Sequence, residues 1–196
     1  MQEYDSIRPF YDHEVPGVVA RVVSNPEFGK AASKLVMPAC LQGPRLGEWL
    51  TSFVLRRKTR QLSTVAACQL FIADYFQRLV DETVVELTAS GLQDLDPKQP
   101  YLYMSNHRDI VMDSGLLNFL LHNAGFETCR MAVGDNLLTH ELAADLMRLN
   151  KSFVVERSIS GARATLNALT RTSSYIRHSL VEGVSIWIAQ REGRAK

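Results

Sequence analysis

The sequence predicts an α/β fold: a mainly parallel sheet flanked by helices, preceded by a helical N-terminal part. Three observations carry the prediction. Through roughly the first eighty positions, apolar residues recur at three- and four-residue steps, the stripe of amphipathic helices. Beyond them, short β-branched runs alternate with helix-length segments. Consecutive strands separated by helices need crossover connections, and crossovers join parallel neighbours.

The elements follow in order. Asp12 is a candidate cap for a helix with Pro16 in its first turn and Val18, Val19, Val22 and Val23 along one face. Ser24-Asn25-Pro26 breaks that helix, and Pro26 opens the next, which ends at Pro38 and Gly43-Pro44. A third helical pattern starts at Leu46 with Trp49, Leu50, Phe53 and Val54. A fourth follows Leu62, with Val65, Ala66, Gln69, Leu70, Ala73, Phe76, Leu79 and Val80 as its stripe. Thr83 to Thr88 alternates and reads as a strand stopped by Ser90-Gly91. A loop with Asp96-Pro97 leads to a strand at Tyr101–Met104. Next come a helix from Asp113 to Asn123, a strand from Cys129 to Val133 and a helix from Thr139 to Leu149. Ser152–Val155 reads as a strand, Gly161 to Leu180 as a helix and Val184–Ala189 as a strand. The expected domains are residues 1–80, helical, and 81–196, α/β. The chain stops at Glu192-Gly193-Arg194-Ala195-Lys196, just past a core strand, so the sheet is expected to be incomplete.

Composition narrows the function classes. With 196 residues, 46% hydrophobic and 22% charged, the chain has an ordinary globular make-up. A net charge of +1 gives no field to drive nucleic-acid binding. Cys40, Cys68 and Cys129 are far apart, odd in number and outside Cys-x-x-Cys spacing, which argues against a disulfide framework or a zinc site. The N-terminus is acidic without an apolar core, unlike a secretory signal. No run approaches the ~18 apolar residues of a spanning helix, so the expectation is a cytoplasmic protein, peripheral on the inner face of a membrane if it meets one.

The densest polar cluster is Ser105-Asn106-His107-Arg108-Asp109, followed by Met112-Asp113, between a strand and a helix. In open α/β sheets functional groups gather at the carboxyl ends of strands. A histidine there can act as a general base, and a nearby carboxylate can fix its tautomer. The same residues also read as a turn histidine with Asp113 as a helix N-cap. Two other chemistries are excluded. His107-Arg108-Asp109 copies the start of a kinase catalytic loop, but Ser114 stands where its metal-binding asparagine belongs. The Gly-x-Ser-x-Gly of a serine hydrolase is absent.

Residues 83 to 196 resemble the glycerolipid acyltransferases, the family of glycerol-3-phosphate and lysophosphatidate acyltransferases. Gly91-Leu92-Gln93-Asp94-Leu95 matches its Gly-Leu-x-x-Leu turn, and Asn106-His107 its Asn-His pair with a following aspartate. Gly134-Asp135-Asn136-Leu137-Leu138 resembles the segment before the second motif, and Phe153-Val154-Val155-Glu156-Arg157 that motif's end. Trp187-Ile188-Ala189-Gln190-Arg191-Glu192-Gly193-Arg194 resembles the third motif, Phe-Pro-Glu-Gly-Thr-Arg-Ser. The chain departs from the pattern at three points. Five residues, not four, separate His107 from Asp113, so a bulge or turn must absorb the extra one, and Asp109 is the substitute partner if none does; Lys151 stands where the second motif opens with glycine; Arg191 stands where proline is usual. A fourth, proline-containing motif is not reached.

The resemblance implies acyl transfer from acyl-CoA or acyl carrier protein to a glycerol-phosphate-type hydroxyl, without a metal or a cofactor; no recognisable activated nucleophile stands beside His107, so no covalent acyl-enzyme is expected. It makes His107 the base and Asp113 its orienting partner. Arg157 would hold the acceptor phosphate, with Glu192 and Gly193 lining the site and Arg194 as a second phosphate ligand. For Arg157 the plain alternative is a surface ion pair with Glu156. The run Arg56-Arg57-Lys58-Thr59-Arg60, after Trp49 and Phe53, suits a peripheral membrane contact or simply a solvated face. Met104, Met112, Met131 and Met147 read as core filler. N-acylation of an amino-acid lipid head and a non-catalytic lipid- or partner-binding module remain as alternatives.

Overall fold

A helix in water is stabilised chiefly by burying one face, and α1 (Val15–Ser24) does so with Val15, Val18, Val19, Val22 and Val23. The computed structural model describes residues 2–36, 46–109 and 112–190, except the side chains of 2, 34–36 and 46–50. Cys40, Pro38, Gly43-Pro44 and the side chains of Trp49 and Leu50 therefore lie outside the described residues. Asp12 does not cap α1. It sits inside a 3-10 turn, Asp12–Glu14, that runs straight into the helix. Its carboxylate instead accepts the Val65 amide (2.9 Å) at the start of α4 (Val65–Thr83), where the Thr64 hydroxyl accepts the Ala67 amide (3.0 Å). Those orphan helix-start amides need acceptors, and the 3-10 turn aims Asp12 at them. Between these helices lie α2 (Pro26–Val36) and α3 (Leu46–Thr59). Together the four helices build one core, completed by Leu149 with Leu142 and Leu146.

The sheet has four parallel strands: β1 (Leu102–Ser105), β2 (Arg130–Gly134), β3 (Ser152–Val155) and β4 (Ile186–Ala189). Their order is β1-β4-β2-β3, so the last strand inserts between the first two. The crossover helices are α5 (Met112–Asn123), α6 (Glu141–Leu149) and α7 (Ala162–Val181). Successive side chains on β4 face opposite ways. Ile186 packs with Phe153, Val154 and Tyr175 of α7, whereas Trp187 packs with Leu121 of α5, Cys129 and Met131. The Val154 amide donates to the Ile7 carbonyl (2.7 Å), which lays the N-terminal segment along the β3 edge.

Two further expectations change. Residues 83–88 form no strand: α4 runs through Thr83, and Val85 beyond it is fully exposed. Alternation yields a strand only where a partner and a face to bury are available, and this segment has neither among the described residues. Met131 is buried core, but Met104 is 63% exposed on edge strand β1. The Gly91-Leu92-Gln93-Asp94-Leu95 turn forms as its composition requires. Gly91 takes φ +86, open to glycine, and Leu92 and Leu95 pack into the core beneath Trp187.

The helical part and the sheet are tied by charge and amide. Arg21 of α1 donates through Nε and Nη2 to the buried Asp145 of α6, both at 2.7 Å. Gln69 of α4 hydrogen-bonds Asn150 and Thr128. The expected boundary at residue 80 falls within the last turn of α4.

Candidate active site

Parallel pairing puts the four strand ends, Ser105, Ala189, Gly134 and Val155, on one rim of the sheet. The β1 exit is fixed there by its neighbour. The Gln190 amide donates to the Ser105 carbonyl (3.0 Å), and the Trp187 indole donates to the Ser105 hydroxyl (3.1 Å). Two residues on, the His107 ring stands edge-on to Trp187, with centroids 6.0 Å apart.

His107 Nδ1 lies 3.1 Å from Asp113 Oδ2. The same oxygen accepts the backbone amides of Arg108 (2.6 Å) and Asp109 (3.0 Å). The additional residue therefore does not keep Asp113 from the imidazole, and the amides of Arg108 and Asp109 converge on its carboxylate. Asp109 serves the helix instead, since its Oδ1 accepts the Met112 amide (2.8 Å), the capping bond at the start of α5. Asp113 therefore makes the imidazole contact, and the capping role that its position also allowed falls to Asp109. Ile110 and Val111 lie outside the described residues.

Burial pushes the Asp113 carboxyl up, but the Asp109 and Arg108 amides and the His107 contact outweigh it and hold it below the usual carboxylate range. An ionised Asp113 accepts a proton-bearing Nδ1, which selects the tautomer with Nε2 as the proton acceptor. Both side chains are partly accessible, at 30% for His107 and 23% for Asp113. This arrangement can deprotonate a hydroxyl delivered to Nε2.

Arg157 follows β3 on the same rim. Strands β4 and β2 stand between β1 and β3, so the two exits are about 14 Å apart at three strand spacings. Arg157 does not touch His107. Nor does it pair with Glu156, which Arg171 of α7 engages at 2.5 Å. The Arg157 side chain instead crosses Gly134, where a Cβ would stand 3.3 Å from its Cδ and 2.5 Å from Asn136 Oδ1. A glycine is needed for that close approach. Asp135 secures the same loop by accepting the Ser158 amide (3.1 Å). Burial pushes its carboxyl up, yet the Ser158 and Arg157 amides prevail and hold it low.

Sequence reading missed Trp187 and Asp135 as positioning residues. Each was visible only as one letter within a motif-like block, since the contacts they make are to distant segments. Glu192, Gly193 and Arg194 lie outside the described residues. Cys129 is no nucleophile in this setting: burial pushes its thiol up to about 12, and it hydrogen-bonds Asn118. Among the described residues no group of three or more His, Cys, Asp or Glu could hold a metal ion, and no helix is long and apolar enough to cross a membrane.

A family model described as Acyltransferase matches residues 86–193, more than half of the chain. No curated protein matches it. The match begins before the Gly91 turn and takes in all four strands, the His107–Asp113 pair and Arg157. With histidine and carboxylate joined at the carboxyl end of the first strand of that match, the chain belongs to the acyltransferase family.

Proposed function

We propose that the chain transfers a fatty acyl group from acyl-CoA or acyl carrier protein to a hydroxyl of a glycerol-phosphate-type acceptor, a step of phospholipid synthesis. The observation that carries this reading is the His107–Asp113 contact on the rim where the strands end. His107 Nε2 takes the acceptor hydroxyl's proton as that oxygen attacks the thioester carbonyl. The tetrahedral adduct collapses, the C–S bond breaks, and the imidazolium returns the proton to the departing thiolate. The products are an ester and a free thiol, so the proton and the electron pairs balance without a cofactor. A base so placed contributes roughly two to four orders of magnitude in rate.

Arg157 suits the acceptor phosphate because its forked donors match phosphate oxygens and no carboxylate among the described residues claims them. Glu192, Gly193 and Arg194 complete the acceptor site in this proposal. Residues 1–80 act as an accessory helical domain. On α3, Phe53 is 56% exposed beside Arg56, Arg57 and Arg60, which suits peripheral contact with an anionic membrane on the cytoplasmic side.

The test is thiol release from a panel of acyl-CoAs with glycerol 3-phosphate, lysophosphatidate, an amino-acid lipid head or no acceptor, on the wild type and His107→Ala. Acceptor-dependent release that disappears in His107→Ala is the expected result. Release that survives the substitution removes His107 as the base. Release only with the amine acceptor makes the chain an N-acyltransferase. Acyl-CoA or lipid binding without release makes it a binding module on this fold.

A further inference from the structure

The stripe on α4 is only partly covered. Leu79 is 42% exposed, and Phe76 meets Phe119 of α5 with ring centroids 5.6 Å apart; beside that contact Leu70 (56% exposed), Ala73 and Phe126 line an open groove of about 250 Å³. Gly115 and His122 both line it, so it runs along about 10 Å of α5. One end of this apolar groove is polar: Gln69, Thr128, Asn150 and Lys151 close it.

Lys151 is the unusual member. It is the one non-glycine residue with positive φ (+58) among the described residues, a left-handed conformation that disfavours any Cβ-bearing side chain. It directly follows Asn150, the C-cap of α6, where a left-handed residue commonly ends a helix and so fixes where this side chain leaves the backbone. That side chain is 19% exposed. Its ammonium donates to the Thr128 hydroxyl (2.7 Å) and, at 3.4 Å, to the Thr128 carbonyl. The Thr128 hydroxyl donates in turn to Gln69 Oε1 (2.8 Å), and Gln69 Nε2 donates to Asn150 (3.2 Å). The chain of bonds holds Nζ in one place. Its carboxylate neighbour, Glu127, is 3.7 Å away on a side chain 92% exposed, a loose pairing in high dielectric. Burial pushes the Lys151 ammonium toward deprotonation, so an arriving anion would be favoured.

We infer that this groove is a binding site for an aliphatic monocarboxylate, its tail between α4 and α5 and its carboxylate on Lys151. A single negative charge suits one ammonium with Glu127 close by. The site differs from the reaction site: Lys151 and Thr128 precede β3 and β2, whereas His107 follows β1 on the opposite rim. Four strand residues separate the two rims by about 13 Å.

The experiment is calorimetric titration of the whole chain with laurate below its micelle concentration, with dodecanol as the uncharged probe. One saturable laurate site is expected, with dodecanol at least tenfold weaker. Lys151→Gly, which suits the left-handed backbone, should weaken laurate about tenfold or more while the protein melts cooperatively. Glu127→Gln should tighten it several-fold. Ala73→Phe, which fills the groove, should abolish it, and serves as the deciding variant if Lys151→Gly does not fold. His107→Ala should leave it unchanged. Absence of laurate binding, equal binding in Lys151→Gly and Ala73→Phe, or loss in His107→Ala would overturn the inference. Turnover is not part of the readout, so failure of the acyl-transfer reading is told apart.

Discussion

His107 Nδ1 sits 3.1 Å from Asp113 Oδ2, and the two amides that follow the histidine donate to that same oxygen. The carboxylate therefore orders the turn and the imidazole together. Asp113→Asn keeps the size of the side chain but removes the charge and presents an amide that can misorient the ring. We expect it to lower kcat/KM about 10²- to 10⁴-fold with the fold retained. Asp109→Asn leaves an equally good cap on α5 and should change kcat/KM by no more than about threefold. Steady-state thiol release on both variants separates them; a fall in Asp109→Asn with Asp113→Asn unaffected would reassign the partner to Asp109.

The lowered Asp113 pKa has a stability consequence with a definite sign. Its folded value lies below the unfolded one, so its contribution is present above the unfolded value of about 3.9 and is lost as pH falls through the folded value beneath it. The thermal midpoint of the wild type should exceed that of Asp113→Asn at pH 6, and the gap should close as pH drops below about 4. A gap that holds constant down to pH 3 would show that ionisation of Asp113 contributes nothing.

Arg21 is half exposed, but its partner Asp145 is only 7% exposed, so the cost of breaking the pair falls on the buried carboxylate. Arg21→Met should destabilise by about 1–3 kcal/mol in urea unfolding, discounted for the exposure of Arg21. Arg21→Met with Asp145→Leu should recover part of that loss, because no unpaired buried charge remains. A double variant weaker than the single one would assign the effect to packing.

A Cβ on Gly115 would stand 2.9 Å from two ring carbons of Phe76, where α4 meets α5. Gly115→Ala gains roughly 1 kcal/mol of helix propensity. Overpacking against Phe76 costs about 1–3 kcal/mol, so the net effect should be destabilising by about 1 kcal/mol. In a Phe76→Leu background the same change should stabilise. A double-mutant cycle by chemical unfolding measures the coupling, and strict additivity would mean the ring moves aside freely.

How much of the molecule is legible from its residues depends on the range of the forces involved. The helices α1 and α4, strand β3 and the Gly91 turn follow from local periodicity, breakers and the φ freedom of glycine. The position of Asn106-His107 after a strand is likewise local. Alternation at 83–88 misled because strand formation depends on a partner that local pattern does not supply.

The sequence alone determined the α/β class, the alternation of the four sheet strands with their crossover helices and the placement of a histidine and two aspartates at one strand exit, since these depend on contacts a few residues apart. Tertiary structure alone decided that β4 enters between β1 and β2, that Trp187 steadies Ser105, and that Arg171 takes Glu156 away from Arg157. It also decided which aspartate meets His107, because that choice turns on which amides each carboxylate satisfies. Such choices rest on burial and on which hydrogen-bond partners tertiary packing brings together, and neither is written in residue spacing.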